Sequence, residues 1–80
     1  MDFKINMQGT ITKGEYHHWY ILIEPLDATS QSYIIFISNL PFDNSPDVIK
    51  EKIVYDIFAD DADAVKNQIE DWNIEWNHYQ

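Results

Sequence analysis

The chain has no cysteine and no arginine, and it holds only two glycines and three prolines in 80 residues. Without cysteine there is no disulfide framework and no thiolate chemistry. That fits a reducing compartment, and the expected location is cytoplasmic. Without arginine the chain lacks the side chain best suited to bidentate recognition of phosphate and guanine, which argues against direct nucleic-acid binding. Two glycines leave no glycine-rich phosphate loop, and no G-x-S-x-G occurs. Long apolar runs are missing too: no stretch nears the ~20 residues that span a bilayer. The first ten residues lack the basic-then-apolar pattern of a secretory leader.

What the chain has in excess is acid. Fourteen Asp and Glu oppose five lysines, giving a net charge of −9. This field repels phosphate backbones and anionic membrane surfaces, so a macromolecular partner held by charge is a basic protein. The imbalance is concentrated: residues 41–80 hold ten acids against Lys50, Lys52 and Lys66. At 45% hydrophobic and 15% aromatic, the chain is too apolar for a disordered acidic tail. One small folded domain over residues 1–80 is expected, burying a little over ~60% of its unfolded surface.

Hydrophobic patterning predicts an α+β fold: an antiparallel sheet of four or five strands with one helix packed on one face, in the order ββββαβ. Phe3 to Thr12 alternates with period two, Phe3, Ile5, Met7 and Ile11 on one side, and Gly9 marks a bulge or a close approach. Tyr16 to Ile23 is β-branched and aromatic on both sides, and Pro25 ends it. Ser32 to Asn39 is the third strand. Residues 51–58 read as a strand, with a helix as the alternative because Ile49, Ile53 and Ile57 are spaced four apart. After the corner Ala59-Asp60-Asp61, the positions Ala62, Val65, Ile69 and Trp72 form one apolar helical stripe. Asp60 or Asp61 supplies the N-cap, and Asn73 stops the helix in a left-handed conformation. Residues 74–78 close the order as a short strand. One helix covers one sheet face, yet the second and third strands are apolar on both; the sheet therefore curls, or its second face is exposed for binding.

Catalytic, cofactor and metal sites are not predicted. His17 and His18 are adjacent, and on a strand would face opposite ways; a pairing of His18 with His78 is weighed against surface histidines. The run Asp60-Asp61-Ala62-Asp63 lacks the spacing, glycine and distal glutamate of a calcium loop and reads as helix capping. So short a chain has little room to wall off a pocket of ~300 Å³.

Size, acidity and the β-α-β ending with Trp72 and Trp76 resemble, at the level of class, phage anti-defence inhibitors such as anti-CRISPR proteins, and immunity proteins that neutralise bacterial toxins. No family motif is matched, and no residue role is carried over. The expected function is non-enzymatic inhibition: an acidic face occupies the basic groove of a nuclease or CRISPR effector. Carboxylates at alternate strand positions would sit ~6.6–6.8 Å apart, near the phosphate spacing of a nucleic-acid strand. The residues assigned to this partner-binding face are Asp56, Asp60, Asp61, Asp63, Glu70, Asp71 and Glu75, with Trp76 or Tyr79 as apolar anchor. The alternative from another class is a structural module that pairs as a homodimer through its apolar sheet face.

Overall fold

The structure, a computed structural model, describes residues 3–27, 31–42 and 53–76. Among the described residues it is an α+β fold with five strands and one helix. The strands are β1 (Gly9–Thr10), β2 (Tyr20–Pro25), β3 (Tyr33–Ser38), β4 (Val54–Ala59) and β5 (Glu75–Trp76), and the helix α1 (Ala62–Ile69) lies between β4 and β5. All pairings are antiparallel, in the order β4-β3-β2-β1-β5. The chain from β4 to β5 therefore crosses the whole sheet, about 19 Å for four strand spacings. An eight-residue helix supplies about 12 Å of that, and residues 70–74 supply the rest.

Register assigns the two faces. Ile21 lies opposite Ile37, which lies opposite Tyr55; Ile23, Ile35 and Ile57 form the next row, and Pro25, Tyr33 and Ala59 the third. Ile21, Ile23, Ile35 and Ile37 are fully buried, and with Phe3, Ile11, Val65, Ile69 and Trp72 they make the core under α1. Each fully buried isoleucine contributes roughly 1.5–3 kcal/mol. The second face carries Tyr20, Ser38 and Val54, then Leu22, Phe36 and Asp56, then Glu24, Ile34 and Phe58. Leu22, Ile34 and Phe36 there are half-buried, whereas Val54 and Phe58 are 46% and 57% exposed. The surplus apolar face expected from sequence is present, and its open part is the β4 side.

Several boundaries differ from the sequence reading. The first strand contracts to two residues because Asn6 adopts φ 57°. Its N–H still donates to Ile23 O at 2.8 Å, so the four residues from Asn6 to Gly9 run beside the three from Ile23 to Ile21. This is a one-residue bulge, and it leaves Ile5 38% exposed while Phe3 is buried against Tyr33, ring centroids 5.6 Å apart. The second strand begins at Tyr20, since His17 N–H donates to Gly14 O, Trp19 N–H donates to Tyr16 O, and His18 has φ 74°. His17 and His18 accordingly do not face opposite ways: their rings lie 4.7 Å apart on a turn. In its described part the fourth strand is a strand, Val54–Ala59, and the helical alternative is not realised there; Ile49 and residues 51–52 lie outside the described residues. The last strand is confined, among the described residues, to Glu75–Trp76.

Gly9 is the close approach. A Cβ there would meet Ile74 Cγ2 at 2.7 Å and Trp76 Cε3 at 2.8 Å. The turn after α1 is fastened to the same region, because Trp72 O accepts the N–H groups of Thr12 and Lys13 at 3.1 and 3.0 Å. The helix ends earlier than the sequence reading placed it: its C-cap is Glu70, right-handed at φ −60°, and Trp72 lies in the turn beyond it. Asn73 is left-handed, φ 47°, but three residues past the cap, so it turns the chain toward β5 and does not stop the helix.

Candidate functional site

The β4 sequence V-Y-D-I-F-A is β-branched and aromatic, which suits a pleated surface. It sits at one edge of the sheet. The β4 residues Val54, Tyr55 and Phe58 and the preceding Ile53 are all exposed large hydrophobics. Asp56 interrupts them on the second face, between Val54 and Phe58 and opposite Phe36. On the other face, Tyr55 stacks on Trp19 and contacts Tyr16 at a centroid distance of 6.0 Å. Strand and aromatic cluster together hold the edge in place.

The acidic corner follows directly. Asp60 O accepts from Ser32 Oγ at 3.2 Å, tying the turn to the chain before β3. Asp61 is extended, φ −157° and ψ −179°, and its Oδ1 accepts the Ala64 N–H at 2.8 Å. It is the N-cap, and its charge complements the helix N-terminus. Asp63, in the first turn, lies 3.6 Å from Lys66 Nζ. Asp56, Asp60, Asp61 and Asp63 are thus brought onto one strand–turn–helix unit, and all four are exposed.

The other assigned residues lie elsewhere. Glu70 caps the far end of α1 and Asp71 follows it; seven residues of helix separate Asp63 from Glu70, about 10.5 Å. Glu75 is on β5, the opposite sheet edge from Asp56. Tyr79 lies outside the described residues. Trp76 is half-buried and packs on the core. Among the described residues no strand carries two of the assigned acids, Asp56 being on β4 and Glu75 on β5. The phosphate-like spacing along one strand therefore has no counterpart there. The acids of consecutive elements are parted because β4-α1-β5 spans the sheet.

A groove of about 400 Å³ lies where the end of α1 meets β5, lined by Lys66, Ile69, Glu70, Asn73, Ile74 and Trp76. The groove is formed side by side by two elements, not walled off within the core. It brings together Glu70 and Trp76, two of the residues assigned to the partner-binding face. Of β4 only Asp56 was assigned from sequence; the exposed Val54, Tyr55 and Phe58 beside it were missed, although apolar residues on both sides of Asp56 were their signal.

Among the described residues no group of three or more His, Cys, Asp and Glu is placed to hold a metal ion, and no helix is long and apolar enough to cross a membrane. His78 lies outside the described residues. Against this geometry, comparison of the chain with protein-family models, curated proteins and solved structures found no match.

Proposed function

We propose that this chain is a non-enzymatic, cytoplasmic binding protein that inhibits a basic protein partner. One observation carries the reading: Asp56, Asp60, Asp61 and Asp63 stand exposed beside exposed Val54, Tyr55 and Phe58 on a single edge of the fold. Carboxylates and apolar side chains do different work in such a surface. A net charge of −9 draws a cationic partner in from beyond contact, and desolvated apolar groups slow its escape. A basic groove that normally takes phosphate, as in a nuclease or CRISPR effector, offers the complementary chemistry. An anti-defence inhibitor and a toxin-immunity protein are both versions of this role. Glu70 and Trp76 provide a second contact at the groove beside β5.

The test is affinity capture from lysate at low and moderate salt, with wild type beside a variant carrying Asp56→Asn, Asp60→Asn, Asp61→Asn and Asp63→Asn. The reading expects a basic protein that the variant no longer retains and that salt releases. Equal retention by both chains at both salts overturns it.

A second reading has its own support. Leu22, Ile34 and Phe36 are only half-buried on the second face, beside exposed Val54 and Phe58, and apolar area of this kind also suits self-association. A dimer that persists at high salt and in the four-fold Asn variant, seen by light scattering, selects that reading.

A further inference from the structure

Backbone geometry adds a mode of recognition to the charge argument. Asn39 N–H donates to Ile53 O at 3.2 Å, and Ile53 N–H donates to Asn39 Oδ1 at 2.8 Å. Residue 53 therefore turns its backbone groups toward the chain of β3. Alternation along an antiparallel pair carries this to Tyr55, Ile57 and Ala59, and points the N–H and C=O of Val54, Asp56 and Phe58 away from β3. Among the described residues no strand pairs with that side of β4. The same three residues put their side chains on the second sheet face, in the order apolar, acidic, apolar.

We infer that β4 is a strand-addition site for an extended segment of the partner that carries a lysine or arginine flanked, two residues away on each side, by apolar residues. The inference rests on the reading that the partner is basic, and it specifies how that partner is held. Main-chain hydrogen bonds to Val54, Asp56 and Phe58 give the attachment, and side chains at alternate positions give the selection. A cation directly opposite Asp56 makes the favourable cross-strand pair, while apolar neighbours meet Val54 and Phe58.

Charge decides between this occupant and a second copy of the chain. In two-fold pairing of β4 with itself, setting Val54 against the other copy's Phe58 sets Asp56 against the other copy's Asp56. Shifting the centre by one residue puts Asp56 opposite Phe58 in one direction and opposite Val54 in the other. Like charges opposed across a ladder repel, and an acid opposite an apolar residue gains nothing. An acid in the middle of an exposed edge strand is also a recognised guard against self-pairing. Asp56 thus disfavours the copy and favours the cation.

The probe is a capped peptide with threonine at the odd places of seven, valine at the second and sixth, and lysine at the fourth. Amide correlation spectra of the 15N-labelled full chain are recorded during titration. The expected result is perturbation centred on the Val54, Asp56 and Phe58 amides. Affinity is expected to fall at least tenfold when glutamate replaces the peptide's lysine, and likewise for Val54→Pro, which removes an outward donor without touching the β3 ladder. A twin peptide, N-methylated at the amides that would bond β4, gives the same comparison on the wild-type chain should Val54→Pro fail to fold. Perturbation centred elsewhere, equal binding of the N-methylated twin, or no binding of the lysine peptide overturns strand addition, as do concentration-dependent shifts at β4 without peptide. A fifteen-residue polylysine peptide separates the two claims. If it binds Asp60 and Asp61 while the lysine peptide does not touch β4, strand addition falls and the basic-partner reading stands. If neither peptide binds, both fall.

Discussion

Trp19 and Tyr55 stack with ring planes 3° from parallel and centroids 5.9 Å apart. Tyr55 belongs to the edge strand β4, and Trp19 immediately precedes β2, two strands away. The stack therefore links the edge to the interior of the sheet past β3. Tyr16 joins them, 5.3 Å from Trp19 and 5.8 Å from Trp72. A binding edge gains from this support, because ordering a strand before contact lowers the entropy lost on binding.

Replacing Tyr55 by alanine is expected to cost about 1–2 kcal/mol in urea unfolding, from lost stacking and partial burial. Tyr55→Phe keeps the ring and is expected to stay within about 0.5 kcal/mol of wild type. The near-UV circular dichroism of Trp19 should weaken in the first variant only. Equal losses in both would mean that the hydroxyl, not the stack, holds the edge.

Gly9→Ala should be more damaging than an exposed glycine substitution. The added methyl meets Ile74 Cγ2 at 2.7 Å, Trp76 Cε3 at 2.8 Å and the Glu75 backbone O at 3.1 Å. Two of those atoms can move with their side chains, but the third moves only with β5 itself. Overpacking of this kind costs about 1–3 kcal/mol. The expected readout is a lower urea midpoint together with altered amide shifts for Glu75 and Trp76. An unchanged midpoint would show that β5 is not held against β1.

Much of the architecture was legible because its signals were redundant. Ile21, Ile23, Ile35 and Ile37 alternate within β-branched and aromatic runs, and all four are fully buried. Val65 and Ile69 keep the helical stripe and are buried, and Trp72 is buried with them from the turn that follows the helix. The edge of β1 was not legible, because its alternation continues through Asn6 while the backbone does not. Asparagine takes positive φ at small cost, so its identity permits the break without demanding it. The same holds for His18, whose φ of 74° turns an aromatic run into a bend. Site geometry was harder still. Asp56 and Glu75 lie on consecutive strands and share the second face, yet stand at opposite edges, since strand order is set by pairings that local pattern does not specify. The exposed β4 edge is likewise a property of sheet order.

Asp61 allows structure and charge to be separated. Its side chain accepts from Ala64 N–H at 2.8 Å, so Asp61→Ala is expected to lose about 0.5–2 kcal/mol of stability. Asparagine caps nearly as well as aspartate, so Asp61→Asn should remain close to wild type in thermal unfolding while removing one corner charge. If the corner attracts the partner, Asp61→Asn slows association although the fold is intact. Equal destabilisation by alanine and asparagine would instead make the charge–helix interaction the main contribution at this position.

Salt dependence gives the sharpest test of how the surface divides its labour. Attraction between separated charges is screened over about 8 Å at physiological ionic strength, whereas apolar contact on β4 is not weakened by salt. Raising salt from 50 to 500 mM should therefore slow association of a basic partner by about tenfold or more and leave dissociation much less changed. Phe58→Ser should show the converse: Phe58 is 57% exposed in the free chain, so its loss costs little stability but speeds dissociation from the complex. Stopped-flow and surface-binding kinetics on the same pair measure both constants. A salt effect confined to dissociation, or a Phe58→Ser effect confined to association, would contradict the assignment of steering to the acids and of residence time to the strand.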